Sequence, residues 1–161
     1  MIPFLRPSAC VEGVSAHDAA TLAEIHAAAF RRTWSAHDFS ALLSDPSVFA
    51  LALRLRGFLA GTRTAGFVVV RFAADEAEIL TIAVAPRYRR RGFGRMLMED
   101  VIRRLYREHI ASLFLEVERA NSAAVGLYRS LGFTVAGERR NYYSAPAAGD
   151  GAALVMRLQV R

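Results

Sequence analysis

The spacing of apolar residues changes along the chain, and each spacing predicts a type of element. The pattern over residues 8–14 predicts a short first strand, and apolar positions in residues 16–30 recur with the period of a helix. Ser15 and Ser35 are each followed three residues later by an aspartate, which is the spacing of a capping box. The sequence therefore predicts two early helices, and the second ends before Pro46 because the residue preceding a proline avoids the helical region.

From residue 48 the apolar period shortens to two, which is the period of a strand. Alternation over 48–55, a valine-rich run over 67–72 and an apolar run over 78–84 predict three strands. Residues 57–66 and 73–77 are rich in small and polar residues and are predicted as the connections. These three strands should form an antiparallel meander.

The second half of the chain predicts helices alternating with strands. A helix is predicted over 92–109, and an apolar strand follows at 113–117. Because a helix joins this strand to the one before it, the two should be parallel. A further helix opens at Asn121 and ends at Gly132, a typical residue after a helix C-terminus. The last two strands are predicted over 133–138 and 152–160.

This order of elements predicts an α+β fold with one mixed, mostly antiparallel sheet of about six to seven strands flanked by about four helices. The chain has 161 residues, of which 53% are hydrophobic and 22% charged, so residues 1–161 are expected to form a single globular domain. No apolar run approaches the roughly 20 residues of a membrane helix, and residues 1–14 lack the apolar core of a secretion signal. We therefore expect a cytoplasmic protein.

Cysteine and histidine do not predict a metal site. Cys10 is the single cysteine and cannot form a disulfide within the chain. The four histidines are scattered, with no pair at the i, i+4 spacing of helical zinc ligands.

The densest charge lies between the strand at 78–84 and the helix that follows. The chain has a net charge of +6 and no lysine, and five arginines fall within residues 87–95. Gly92 and Gly94 place a glycine turn at the start of the helix, where backbone N–H groups and the helix dipole favour an anion. A P-loop is excluded because it requires a lysine. A dinucleotide-binding turn is not favoured because Leu97 stands where the third glycine would be.

A third phosphate pattern, Arg/Gln-x-x-Gly-x-Gly/Ala, is matched by residues 89–94. A second pattern, Asn-x-x-Ala-x-x-x-Tyr-x-x-x-Gly-Phe, is matched at every position by Asn121, Ala124, Tyr128, Gly132 and Phe133. With these two motifs in this order, the chain resembles the GNAT family of N-acetyltransferases over nearly its whole length. Within that family it is most similar to the bacterial ribosomal-protein-alanine N-acetyltransferases (RimI). The residues that carry this closer resemblance are Trp34-Ser35, Glu78 to Val84, Leu115-Glu-Val117, Leu127-Tyr128 and Arg139-Arg-Asn-Tyr-Tyr143.

The resemblance implies the GNAT fold and acetyl-CoA as the co-substrate, with no metal. In this family the strand before the glycine turn holds the pantetheine arm and the thioester, and the turn wraps the pyrophosphate. The residues implied to bind acetyl-CoA are Ile82, Ala83, Val84, Arg90, Arg91, Gly92, Phe93, Gly94, Arg95 and Asn121. Asn121 is also the expected N-cap of its helix.

Glu116 and Tyr128 are the candidates for acid–base chemistry. Alternation along the strand points Glu116 to the face opposite Leu115 and Val117, as it would point an ordinary exposed glutamate. The resemblance implies that Glu116 is the general base that deprotonates the acceptor amine, and that Tyr128 is the general acid for the departing thiolate. From the residues alone, Tyr128 is equally consistent with a core tyrosine. Cys10 lies far upstream in a predicted strand with no paired histidine, so direct transfer in a ternary complex is expected rather than an acyl-cysteine.

The acceptor is expected between the early helices and the last hairpin. Trp34, Tyr142 and Tyr143 are the candidate walls of that groove, with local packing as the alternative. In the subgroup that the chain resembles, the acceptor is the N-terminal alanine of the eighteenth small-subunit ribosomal protein. One position departs from that subgroup, because Ala152 stands where similar proteins carry an acidic residue.

Two other functions are compatible with the sequence. The first is a GNAT enzyme that acetylates lysine or a small amine. The second is a non-enzymatic basic module that binds RNA or ribosomes, which the arginine cluster permits. For the acetyltransferase, a monomer or weak dimer is expected, with neither a membrane nor direct nucleic-acid binding required.

Overall fold

The computed structural model of the chain describes residues 7–140 and 151–161. Within these ranges the elements are β1 (Ser8–Gly13), α1 (Ala19–Ala29), α2 (Ala36–Leu43), β2 (Val48–Gly57), β3 (Gly61–Ala73), β4 (Glu76–Val84), α3 (Phe93–Arg107), β5 (Ser112–Glu118), α4 (Ser122–Ser130), β6 (Thr134–Arg139) and β7 (Ala153–Gln159). Two short 3-10 turns precede helices, at Ala16–Asp18 and Pro86–Tyr88.

The strands form a seven-stranded sheet in the order β1-β2-β3-β4-β5-β7-β6. The pairs β1/β2, β2/β3, β5/β7 and β6/β7 are antiparallel, and β4/β5 is parallel. The predicted α+β class with a mixed, mostly antiparallel sheet is therefore confirmed, as is the parallel pairing of the strands on either side of α3.

The chain divides into two compact units. The first comprises Met1–Arg71 and Thr81–Val101, and the second comprises Phe72–Leu80 and Ile102–Arg161. Among the largest fully buried side chains, the first unit contains Leu22, Phe39, Leu53, Phe67 and Leu97, whereas the second contains Leu105, Leu113 and Met156. Each unit therefore has large apolar side chains that are fully removed from water.

The two predicted capping serines start α2 and the 3-10 turn that precedes α1. The N–H of Ser35 donates to Asp38 Oδ2 at 2.8 Å, and the N–H of Asp38 donates to Ser35 Oγ at 3.1 Å. The N–H of Ser15 likewise donates to Asp18 Oδ2 at 3.0 Å, but the first turn after it is a 3-10 turn. The α1 helix therefore begins at Ala19 rather than at residue 16.

The connection predicted over 57–66 is much shorter in the structure. Residues 62–64 of β3 pair with Arg54, Leu55 and Arg56 of β2, so only residues 58–60 form the turn. The prediction was wrong because the small and polar residues at the end of this stretch, including Gly66, lie inside β3. A Cβ at Gly66 would stand 2.7 Å from the carbonyl oxygen of Ala83, so close strand packing is what requires glycine there.

The connection predicted over 73–77 is shorter as well. It consists of residues 74 and 75, because β4 already begins at Glu76. Ala74 adopts a left-handed backbone conformation in this tight turn, at φ +54°. None of the helices in the described ranges is long and apolar enough to cross a membrane.

A buried arginine ties together the strands and the 3-10 turn of the first unit. Arg54 is 9% exposed, and its guanidinium contacts Glu12 at 3.2 Å, Asp18 at 2.9 Å and the hydroxyl of Thr64. Burial raises the pKa of Asp18, but hydrogen bonds from the Ser15 N–H and from Arg54 outweigh it and lower this pKa overall. The charge of Arg54 is thus compensated on two sides, as a buried charge requires.

Candidate active site

The turn between β4 and α3 has the backbone that the anion-binding prediction requires. Gly92 lies at φ +78°, a conformation that favours glycine, and a Cβ there would meet no atom of the described residues within 4 Å. The first helical bond runs from the N–H of Met96 to the carbonyl of Gly92, at 3.1 Å. The N–H groups at the very start of α3 precede this bond, and these are the groups that a helix N-terminus offers to an anion.

Some arginines of this turn contact neighbouring side chains, and some are exposed to solvent. Tyr88 is 8% exposed and lies beneath Arg87 and Arg91, whose guanidinium carbons are 4.8 and 5.6 Å from its ring centroid. Arg90 is exposed and adopts φ +62°. Arg95 lies 3.8 Å from Glu99 one helical turn later. The turn thus presents Arg90 and Arg91 at its exposed surface beside the start of α3.

Arg89 is a residue of this turn that sequence reasoning did not assign. Its Nε donates to the carbonyl oxygen of Val84 at 3.2 Å, which joins the turn to the end of β4. Its position as the first residue of the Arg/Gln-x-x-Gly-x-Gly/Ala pattern is the signal that could have identified it.

The end of β4 carries the residues predicted to bind the pantetheine arm. The parallel ladder with β5 covers three residue pairs and ends at Glu78, whereas β4 itself continues to Val84. Ile82 and Val84 are partly exposed and Ala83 is buried. A strand backbone that extends beyond its ladder can pair with an extended ligand.

Glu116 lies on β5 in the second unit. Its neighbours Leu115 and Val117 are 2% and 6% exposed, whereas the Glu116 side chain is 21% exposed and lies on the opposite face. One carboxylate oxygen accepts from Arg139 Nε at 3.1 Å. Arg139 was named in the sequence analysis only among the residues that carry the family resemblance. Its contact with Glu116 joins two strands that are far apart in the chain, so residue spacing does not predict it.

The α4 helix positions Asn121 and Tyr128. Asn121 Oδ1 accepts from the N–H of Ala124 at 3.2 Å, so the predicted N-cap is confirmed. Tyr128 is 7% exposed, and its ring centroid is 5.8 Å from that of Phe133. The tyrosine ring is therefore packed as a core residue, and its catalytic role stays a prediction.

Trp34 lies among aromatic side chains of the first unit. Its ring stacks on His26 at 4.8 Å and tilts against Phe39 at 5.6 Å. His26 is 3% exposed, its Nδ1 accepts from the Trp34 N–H at 3.3 Å, and burial lowers its pKa. Local packing thus accounts for one face of Trp34. Tyr142 and Tyr143, the other predicted acceptor contacts, lie outside the described residues.

The two units divide the predicted site residues between them. The first unit contains Trp34, Ile82 to Val84 and Arg90 to Arg95, and the second contains Glu116, Asn121 and Tyr128. In residues 7–140 and 151–161, no three His, Cys, Asp or Glu side chains come together as metal ligands would.

Known proteins resemble the chain in both sequence and structure. Residues 19–133 match the acetyltransferase (GNAT) family. A ribosomal protein bS18-alanine N-acetyltransferase of Salmonella typhimurium strain LT2 is 45% identical over 63% of this chain and 68% of its own length. A protein of the same name from Haemophilus influenzae is 33% identical over 91% of this chain and 95% of its own length.

Among solved structures, the crystal structure of the ribosomal-protein-S18-alanine N-acetyltransferase from Escherichia coli superposes with a TM-score of 0.83 at 32% identity, covering 95% of this chain and 94% of that one. The family match covers most of the chain, and the Haemophilus relative is matched over nearly its entire length. The chain therefore belongs to the acetyltransferase (GNAT) family.

Proposed function

We propose that the protein is an acetyl-CoA-dependent N-α-acetyltransferase that modifies a protein N-terminus, with the N-terminal alanine of ribosomal protein bS18 as its acceptor. The observation that carries the proposal is the glycine turn at the start of α3 in a chain of an acetyltransferase family. The choice of acceptor is supported by relatives whose names give bS18-alanine as their substrate, at 33% to 45% identity.

The residues of the turn fit the pyrophosphate of acetyl-CoA. Gly92 leaves open space where a side chain would stand, and the exposed Arg90 and Arg91 bring positive charge to the same turn. We infer that the pyrophosphate binds the N–H groups and side chains of residues 90–95. The backbone of Ile82 to Val84 would then hold the pantetheine arm, and Asn121 would contribute a further contact from the start of α4.

The chemistry requires one proton to leave the acceptor amine and one to reach the leaving group. The amine nitrogen attacks the thioester carbonyl, a C–N bond forms, and the C–S bond breaks with its electron pair leaving on sulfur. We infer that Glu116 takes the proton of the amine and that Tyr128 gives a proton to the thiolate. The partial exposure of Glu116 supports this role, because an acceptor can reach its carboxylate.

An α-amine is a better match to this chemistry than a lysine side chain. Its ordinary pKa is about 7.7–8.0 against about 10.4 for lysine, so more of it is neutral near pH 7 and ready to attack. We propose that Trp34, Tyr142 and Tyr143 contact the acceptor peptide near its N-terminus. The exposed face of Trp34 is compatible with this role.

The domain organisation, cellular location and oligomeric state that we propose follow from the same function. We infer that residues 1–161 function as one acetyltransferase domain, because the similarity to the Escherichia coli enzyme covers 95% of the chain. A ribosomal acceptor would be met in the cytoplasm, which is where we propose that the protein acts. Neither a stable oligomer nor nucleic-acid binding is required for the reaction, and a monomer or weak dimer is proposed.

A panel of acceptors tests the proposed function. The protein would be incubated with acetyl-CoA and three kinds of acceptor, and the products identified by mass spectrometry. The acceptors would be an alanine-led peptide, the same peptide with a blocked N-terminus and one internal lysine, and a set of polyamines and aminoglycosides. We expect acetyl transfer to the free alanine-led peptide and no product from the blocked one.

The other outcomes separate the alternatives. Transfer to the internal lysine or to the small amines alone would overturn the choice of acceptor and retain an acetyltransferase. If no acceptor reacts and acetyl-CoA does not raise the melting temperature, while RNA binds in a salt-sensitive manner, the basic-module alternative is favoured instead. An enzyme should gain about 2.7 kcal/mol of stability with acetyl-CoA at 100 times its Kd.

A further inference from the structure

Glu118 carries a buried oxygen that has no hydrogen-bond partner in the part of the chain that the structure describes. Its Oε1 is one of two such side-chain atoms among the described residues, and Thr81 Oγ1 is the other. A carboxylate oxygen removed from water without a donor is costly, because the donors that water supplied are not replaced. Glu118 is therefore a candidate for a partner that arrives during function.

Glu118 lies on the same face of the sheet as Glu116. The two residues are separated by one position on β5, and side chains on a strand alternate between faces. Strand β7 pairs Glu116 with Val155 and Glu118 with Ala153. The two carboxylates are thus consecutive side chains on one face of β5.

Arg139 of β6 lies on the same face of the sheet as both carboxylates by register. Strand β6 pairs Arg139 with Ala153, so Arg139 lies straight across β7 from Glu118. Its guanidinium nevertheless extends along the diagonal and contacts Glu116 at 3.1 Å. With strands about 4.8 Å apart, the direct span to Glu118 is roughly 10 Å between Cα atoms, against roughly 12 Å for the diagonal to Glu116.

A small residue separates Arg139 from Glu118 on the intervening strand. The residue between them on β7 is Ala153, whose side chain is a single methyl group. A side chain long enough for the diagonal is long enough for the shorter direct span. Arg139 can therefore reach either carboxylate by changing its rotamer.

We propose that Arg139 is a positioning residue with two carboxylate partners, holding Glu116 before the acceptor binds and moving to Glu118 when the acceptor amine takes its place. This inference rests on the proposed function, in which Glu116 is the base. The acceptor amine arrives largely as a cation, so it competes with the guanidinium for the same carboxylate. Glu118 gives the displaced guanidinium a second charge-assisted hydrogen bond, so neither charge is left unpaired.

Steady-state kinetics of Glu118→Gln, Arg139→Gln and the double variant test this inference. Without the charge of Glu118, Arg139 stays on Glu116, so we expect Glu118→Gln to raise the acceptor KM about tenfold, as the loss of one charge-assisted hydrogen bond would. The values of kcat and of the acetyl-CoA KM should change by less than about twofold, since the bound complex reacts as before. In the Arg139→Gln background, the same Glu118→Gln change should have no effect, because no guanidinium is left to relocate.

Glu138→Gln is the matched control. Glu138 neighbours Arg139 on β6 but pairs with Leu154, which puts its side chain on the other face, where it contacts Arg119. This control should leave the acceptor KM unchanged. The proposal is overturned if Glu118→Gln has no effect on the acceptor KM, or if it has the same effect with and without Arg139.

A crystal structure with a non-reactive conjugate of CoA and an alanine-led peptide gives a readout that does not depend on the variants. We expect the Arg139 guanidinium within hydrogen-bond distance of Glu118 and the peptide nitrogen beside Glu116. An arginine still on Glu116, or directed into solvent, overturns the proposal. If wild-type protein acetylates no peptide at all, the proposed function fails and this inference fails with it, whereas an active enzyme without the Glu118–Arg139 coupling refutes this inference alone.

Discussion

His26 is a titratable residue buried among aromatic rings in the first unit. Its imidazole is 3% exposed and stacks on Phe30 at 4.4 Å and on Trp34 at 4.8 Å. Because Nδ1 accepts from the Trp34 N–H, the proton of the neutral ring is on Nε2. Protonating Nδ1 would remove this hydrogen bond and place a charge among aromatic rings. The segment that carries Trp34 therefore depends on a neutral His26.

The protein should lose stability below about pH 6.5 through His26. Burial lowers the pKa of His26 in the folded state, so between that lowered pKa and the ordinary value of about 6.5 the unfolded chain binds more protons. The stability contributed by His26 is thus complete above about pH 6.5 and declines as the pH falls. Thermal unfolding at pH 7.5 and pH 5.5 measures this for the wild type and for His26→Asn.

The wild type should lose more stability than His26→Asn over this interval, by at most about 1.4 kcal/mol per pH unit for a single proton. His37→Asn is the matched control, because His37 is exposed. Equal pH dependence in the wild type and His26→Asn would refute the role of the buried imidazole.

Local residue patterns were predictable, and contacts between distant segments were not. The capping aspartates and the Asn121 cap bond within three residues of their partners, so sequence spacing determines them. The ion pair between Glu116 and Arg139 joins strands that both neighbour β7. No local pattern encodes that register, which is why the contact of Arg139 was missed.

At the scale of elements, the start of α3 depends on one glycine. Gly92 at φ +78° is the last residue before the helix, and its carbonyl accepts the first helical hydrogen bond. An alanine at this φ costs roughly 1–2 kcal/mol, so the chain would relieve the strain by reshaping the turn. The proposed pyrophosphate site is made of this backbone, so a change in the shape of the turn should lower its affinity for acetyl-CoA.

Gly92→Ala is expected to weaken acetyl-CoA binding by about tenfold, as 1.4 kcal/mol of lost preorganisation would. Isothermal titration calorimetry with acetyl-CoA measures the change. The matched control is Gly126→Ala in α4, where the glycine is exposed, has no neighbour within 4 Å and needs no positive φ. The control should keep the affinity and gain about 0.5–1 kcal/mol of stability from the better helix former. Unchanged acetyl-CoA affinity in Gly92→Ala would contradict the assignment of this turn.

Glycine was informative in one element and misleading in another. At Gly92 the arginines and the following amphipathic pattern identified a turn before a helix. Gly66 fell within the predicted connection over 57–66, although it lies inside β3 beside Ala83. Only the approach of a second strand explains that glycine, and a single sequence does not report such an approach.

At the scale of the whole molecule, the order of elements was predictable and the order of strands only partly so. The helix between β4 and β5 implied their parallel pairing. The insertion of β7 between β5 and β6 follows from no local signal, because β6 precedes β7 in the chain. This insertion matters for function, since β7 carries Ala153 and Val155 between Glu116 and Arg139.

The net charge of +6 also acts at this scale. A basic protein attracts a polyanion such as CoA over distances longer than a hydrogen bond, and salt screens that attraction. The charge alone was compatible with RNA binding as well as with acetyl-CoA. Acetyl transfer was instead predicted from Glu116, Asn121 and Tyr128, which do not belong to the arginine cluster.

We propose that acetyl passes from acetyl-CoA to an N-terminal α-amine with Glu116 as the base. The most direct test of this proposal is the rate of acetyl-peptide formation by the wild type, Glu116→Gln and the control Glu138→Gln at saturating acetyl-CoA, followed by mass spectrometry. Loss of a general base should lower the kcat of Glu116→Gln by about 10²- to 10⁴-fold, while its Kd for acetyl-CoA stays within about twofold of the wild type. Turnover of the alanine-led peptide by Glu116→Gln at the wild-type rate would show that Glu116 is not the base.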